Sequence, residues 1–264
     1  MSLPRRALVG LALLLVGCAP DGSSPSAAVS PALGATSAPA VSAPDVPAPD
    51  VPAGQPVAVA AARPAPPELP RQLPGVGAQL RSAIPAGARQ ALVVTGDGPD
   101  ASTGHAVLYR DDGDGWLAGP TWPTRNARKG WTTDHRQGDL RSPVGVFTLS
   151  DAGGRLPDPG SRLPYDRSDD FVISGTGFDG EPLAGAFDYV VAIDYNRVPG
   201  STPLDRRRPR GSGYGGGIWL HVDHGGPTHG CVSMTADRMR ELLTALDPAL
   251  HPVVVMGDAA ALAR

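Results

Sequence analysis

The sequence predicts a mainly β domain with at least one packed helix, occupying residues 76–264. Three observations carry this. No aromatic residue precedes Tyr109, so the material for a packed core lies in the later part of the chain. Beyond about Gln90 the apolar residues fall in short runs bounded by Gly, Pro, Asp and Ser clusters, the pattern of strands and turns. One late segment instead repeats its apolar residues with helical spacing.

The first element is an export signal at residues 1–17. Arg5 and Arg6 precede an apolar run from Ala7 to Val16 that is too short for a stable membrane span. Leu15-Val16-Gly17-Cys18 resembles the lipobox of bacterial lipoproteins, which implies lipidation of Cys18 and a membrane anchor on the outer face of the cell membrane. Residues 18–75 then read as a stalk of Ala-Pro, Asp-Val-Pro and Ser-Ala-Pro units. Such a segment buries too little apolar surface to offset chain entropy, and its prolines favour extended, semi-stiff conformations. A lipid-anchored domain on such a stalk reaches something distant from the membrane, such as a cell wall.

The domain opens with a transition zone and a short helix expected at residues 79–84. Strands are expected at residues 91–95, 105–110, 116–118, 146–149, 171–174, 189–194, 217–222 and 252–256. The helical segment has Thr235 as its cap, Asp237 in its first turn, and Met239, Leu242, Leu243 and Leu246 on one face. Met234 is placed to staple onto Met239, and Pro248 stops the helix.

A net charge of −3, with Lys129 the only lysine, lacks the basic excess of a nucleic-acid binder. The chemistry concentrates in residues 218–234, which hold three of the six histidines and, after Cys18, the remaining thiol, Cys231. A thiolate is the nucleophilic form of cysteine, and a nearby imidazole can take its proton to give a thiolate–imidazolium pair. Gly230 lets a substrate carbonyl approach the backbone closely. Backbone N–H groups at the start of the following helix would favour an anion. His221, at the end of an expected strand, is a firmly held candidate base. His229 stands two residues before the thiol, and His224 reads as a solvated loop residue. Asp223 or a backbone carbonyl could orient an imidazole.

Two other readings use the same residues. His221, His224, His229 and Cys231 are zinc-type ligands, although strand alternation places His221 and His224 on opposite faces, and no metal or other cofactor is expected. Arg206-Arg207-Arg208-Pro209-Arg210 could bind anionic wall polymer in a non-catalytic lipoprotein.

Thr228-His229-Gly230-Cys231 resembles the Ser/Thr-His-Gly-Cys signature of the L,D-transpeptidase (YkuD-like) catalytic domain family. Ser142-Pro143-Val144-Gly145-Val146-Phe147 resembles that family's Thr-Pro-x-Gly-x-Phe segment. The resemblance implies a mainly β domain whose Cys nucleophile, Cys231, acylates on the diaminopimelate–D-Ala bond of a peptidoglycan stem peptide and passes the acyl group to an amine. It implies His221 as general base, with His229 and Gly230 supporting catalysis, and Thr228, Ser233 and Trp219 as substrate contacts. It also implies reaction with carbapenems. Ser233 stands where the family often has Arg. An L,D-carboxypeptidase would use the same acyl-enzyme.

Overall fold

The computed structural model describes residues 69–264; the signal, Cys18 and nearly all of the stalk lie outside the described residues. The long apolar runs form the middle of a ten-stranded sheet. β1 (Gln90–Gly96), β2 (Thr103–Asp111) and β3 (Trp116–Arg125) make an antiparallel meander. β12 (Val253–Asp258) lies parallel on the other side of β1, with β6 (Gly145–Thr148) antiparallel outside it. Beyond β3 come β11 (Val232–Met234), β10 (Trp219–Val222), β9 (Val190–Ala192), β7 (Ala152–Gly154) and β8 (Tyr165–Arg167). β4 (Trp131–Thr132) and β5 (Ser142–Pro143) form a separate parallel pair.

β1 and β12 are almost wholly buried because the sheet is covered on both faces. Their alternation divides the core in two. Leu92, Val94, Val254 and Met256 point to one side, where α2 (Ala236–Ala245) buries Met239, Leu242 and Leu243. Ala91, Val93, Val253 and Val255 point to the other, against Leu73, Val76 and Leu262. Leu80 and Ile84 pack there too, bringing in α1 (Ala78–Ala83), while Leu262 belongs to α3 (Ala259–Leu262). Each large side chain buried in this way contributes about 1.5–3 kcal/mol. Among the described residues no helix is long and apolar enough to cross a membrane.

Several expectations change. Residues 171–174 do not form a strand. Phe171 is buried against Trp219 and Val172 is exposed, so the apolar run marks packing, and its N–H groups bond locally to Ser168 and Asp170. The strand expected from residue 217 begins at Trp219, because Gly215, Gly216 and Gly217 all have positive φ. Thr235 occupies the N-cap of α2 without a side-chain capping bond. Cys231 leads into β11 and not into a helix, so no helix N-terminus stands beside the thiol. α3 was not expected; Asp258 caps it by accepting from the N–H groups of Ala260 and Ala261.

Candidate active site

β10 and β11 are neighbours and parallel, with Leu220 opposite Val232 and His221 opposite Ser233. The segment between them returns from the end of one strand to the start of the next without a helix, and it carries His224, Thr228, His229 and Cys231. The same register places Cys231 beside Trp219. The Trp219 N–H donates to Sγ at 3.4 Å, and the thiol donates to the Gly217 carbonyl at 3.6 Å. The Cys231 carbonyl accepts from the Thr228 hydroxyl at 2.7 Å and the Ser142 hydroxyl at 3.4 Å. The two sequence motifs therefore meet at one turn, with buried Ser142 bracing the Cys231 backbone.

His221 is buried, and its Nδ1 lies 2.9 Å from the Val222 carbonyl. A carbonyl only accepts, so Nδ1 carries the proton and Nε2 of the neutral ring keeps its lone pair. Phe187 packs edge-on to the ring at 5.6 Å. Burial pulls the His221 pKa down to about 4, with neighbouring His224 adding to the effect and the Val222 carbonyl opposing it. Burial pushes the Cys231 thiol up to about 11, offset in part by the Trp219 N–H. Both effects favour the neutral forms of the two groups and so weigh against the ion pair expected from the sequence.

Cys231, His221, His224, His229 and Thr228 line one cavity of about 120 Å³, whose apolar wall includes Ile173, Leu183 and Phe187. His224 departs from expectation. Its side chain is 6% exposed, its Nδ1 lies 3.1 Å from Glu181 Oε1, and its ring is parallel to that of His221 at 5.8 Å. Strand alternation does not separate the two rings, because His224 lies beyond the end of β10. Glu181 reaches it across Gly177 and Gly226; a Cβ at either glycine would overlap the carboxylate. His229 is exposed and stacks on Phe178 at 4.5 Å.

Three other positions have their groups engaged within the protein. Ser233 is fully buried and donates to Asp223 Oδ1 at 3.1 Å, so its hydroxyl is occupied behind the site. Asp223 also pairs with Arg125 at 3.4 Å, leaving the Val222 carbonyl to orient His221. Arg125 faces Ser233 across β3 and β11, so a guanidinium stands opposite the position where the family often has Arg. Gly230 packs closely on Ile218, where a Cβ would come within 2.9 Å of Cδ1; the space it leaves is taken by protein. Trp219 serves the sulfur through its backbone, while its ring packs between Phe171 and Phe187. Among the described residues no group of three or more His, Cys, Asp or Glu side chains could hold a metal ion. Glu181, Phe187 and Arg125 escaped sequence reasoning; the Gly175-Thr176-Gly177 and Gly225-Gly226 pairs were the available signal of close backbone approach.

Residues 90–255 match the family model described as the YkuD L,D-transpeptidase catalytic domain. That match spans more than half of the chain, and the protein belongs to this family. No curated protein matches the chain. Among solved structures, that of Bdellovibrio bacteriovorus Bd1075 is similar at 16% identity with a TM-score of 0.36, covering 65% of this chain and 48% of its own. The chain thus spans about half the length of that structure.

Proposed function

We propose that this protein is a peptidoglycan L,D-transpeptidase in which Cys231 is the nucleophile and His221 the general base. The observation that carries the reading is the shared cavity: a thiol held by backbone groups faces the same space as an imidazole whose Nδ1 proton is pinned to a carbonyl. The thiol attacks the diaminopimelate carbonyl of the diaminopimelate–D-Ala bond as its proton passes to His221 Nε2. Collapse of the tetrahedral intermediate breaks the C–N bond, His221 returns the proton to the departing D-Ala nitrogen, and a thioester remains. An acceptor amine then attacks the thioester, loses a proton to His221, and expels the sulfur, which recovers that proton. Water in place of the amine gives L,D-carboxypeptidase activity from the same thioester.

Incubation with a disaccharide-tetrapeptide, with and without a second stem, and mass spectrometry of products and protein tests this. Wild type should release D-Ala and carry an acyl adduct on Cys231, absent in Cys231→Ser. Undiminished turnover by Cys231→Ala would sink the assignment. The sequence at Cys18 supports export and lipid anchoring, with residues 18–75 as the tether. Metabolic labelling with an alkyne fatty acid should mark wild type and not Cys18→Ala; equal labelling of both would refute the anchor.

A further inference from the structure

Next to the thiol's backbone anchor lies a second, open cavity of about 300 Å³ that contains neither Cys231 nor His221. Gly217 and Trp219, which hold the Cys231 sulfur, also form its wall, and Phe187 lines both cavities. Its charged residues are Arg206, Arg208, Asp170 and Asp205. Asp205 is already paired with Arg207. Arg208 is half-buried and donates Nη1 to two backbone carbonyls, those of Asp205 and Arg207, at 3.2 and 2.9 Å. Among the described residues no carboxylate pairs directly with it; burial lowers its pKa, the nearby Asp205 charge opposes this, and the Arg197 and Arg206 charges add to it. A partly desolvated guanidinium whose nearest acid is already paired with Arg207 gains from an anion that a ligand supplies. Arg208 lies directly on the glycine bend: a Cβ on Gly216 would overlap Nε, and one on Gly217 would sit 3.4 Å from Nη2. Opposite in charge, Asp170 is exposed, and Val172, 61% exposed, adds an apolar surface.

We propose that this second cavity binds the free α-amino acid end of the stem peptide's diamino acid, with its carboxylate on Arg208 and its ammonium beside Asp170. This rests on the L,D-transpeptidase reading, in which the other end of the same residue supplies the carbonyl attacked by Cys231. The spacing suits that division. Gly217 borders both groups, its carbonyl accepting from the sulfur at 3.6 Å while a Cβ on it would sit 3.4 Å from Arg208 Nη2, and the attacked carbonyl carbon and the free carboxylate carbon of the diamino acid, six bonds apart, span on the order of 7–8 Å from standard bond lengths. The Arg206–Arg210 run thus gains a specific role in its Arg208 member.

The test compares two synthetic tetrapeptides on the full chain, one with diaminopimelate in third position and one with lysine, which keeps the amine and lacks the carboxylate. Wild type should favour the first in kcat/KM by roughly 10- to 100-fold, the range of a charge-assisted hydrogen-bonded pair. Arg208→Gln should reduce that ratio to below about 3-fold and Arg208→Lys should restore part of it, mainly through KM. Asp170→Asn should weaken both peptides. The rate of Cys231 alkylation by iodoacetamide checks that each variant keeps its fold and its thiol. A wild-type ratio near one, or a ratio that survives Arg208→Gln, overturns the proposal while leaving the transpeptidase reading intact. If no peptide is turned over, that reading fails by itself, and calorimetry of both peptides on Cys231→Ala still reads the discrimination.

Discussion

The two halves of the large sheet are built differently. From β6 to β3, neighbouring strands share long registers, with six paired positions between β12 and β1, seven between β1 and β2, and eight between β2 and β3. From β11 to β8, no pair shares more than three. In the first half β1 and β12 are continuously buried, while β2 and β3 are held mainly by their long ladders. The second gives up ladder length, and its strand ends and returning loops bring polar groups together. Cys231, His221, His224 and Glu181 all belong to that short-registered half, where a side chain is positioned by specific hydrogen bonds more than by packing.

The largest expected effect falls in the short-registered half. His221→Ala should lower the second-order rate of carbapenem acylation at Cys231 by about 10²- to 10⁴-fold. His224→Ala should cost on the order of 10-fold, because it removes the ring beside His221 and leaves Glu181 unpaired. Exposed His229 should cost least, so the sequence-based order of these two reverses. Intact-mass kinetics with thermal melts on each variant would decide it, and a dead His229→Ala beside an active His221→Ala would move the base to His229. The pH profile sharpens the point. Because the His221 pKa is lowered, its neutral form persists as pH falls below 6.5, and the acid limb of the wild-type rate should lie near pH 4. In His221→Ala the rate should climb with thiolate fraction towards about pH 11, well above the range of an ordinary thiol.

A substitution in the long-registered half should have the converse signature. Met256 is fully buried in β12, and Met256→Ala should cost about 2–5 kcal/mol of stability. Its acylation rate, measured well below the melting temperature, should stay within about 2-fold of wild type. Urea unfolding and acylation kinetics on the same preparation test this; a large rate loss at unchanged fold would show that the two halves are mechanically coupled.

The same contrast explains what could be read from the sequence. Residues 91–95 and 252–256 are legible because a strand covered on both faces must be continuously apolar. Cys231 and Ser142 are legible because they sit in short local motifs, and His221 because it stands at the end of a recognisable strand. The Glu181–His224 contact is not, since its members are 43 positions apart and neither lies in a motif. Residues 171–174 misled because Phe171 is buried by packing on Trp219, and composition does not distinguish that from strand pairing. The bond from Ser233 to Asp223 is not legible for a related reason: closeness to Cys231 in sequence does not determine which side of the strand the hydroxyl faces.

Glu181 has one more consequence. Its carboxylate lies across Gly177 and Gly226 and accepts the Asp179 N–H at 2.8 Å, joining the 177–187 segment to the loop that ends at Cys231. The apolar wall over the thiol therefore cannot lift without parting His224 from its acid. If the two segments open together through this contact, their amides should share a single exchange rate with solvent deuterium. In engineering terms Glu181 is the latch pin of the site: shortening it to Asp frees the cover before it touches the chemistry.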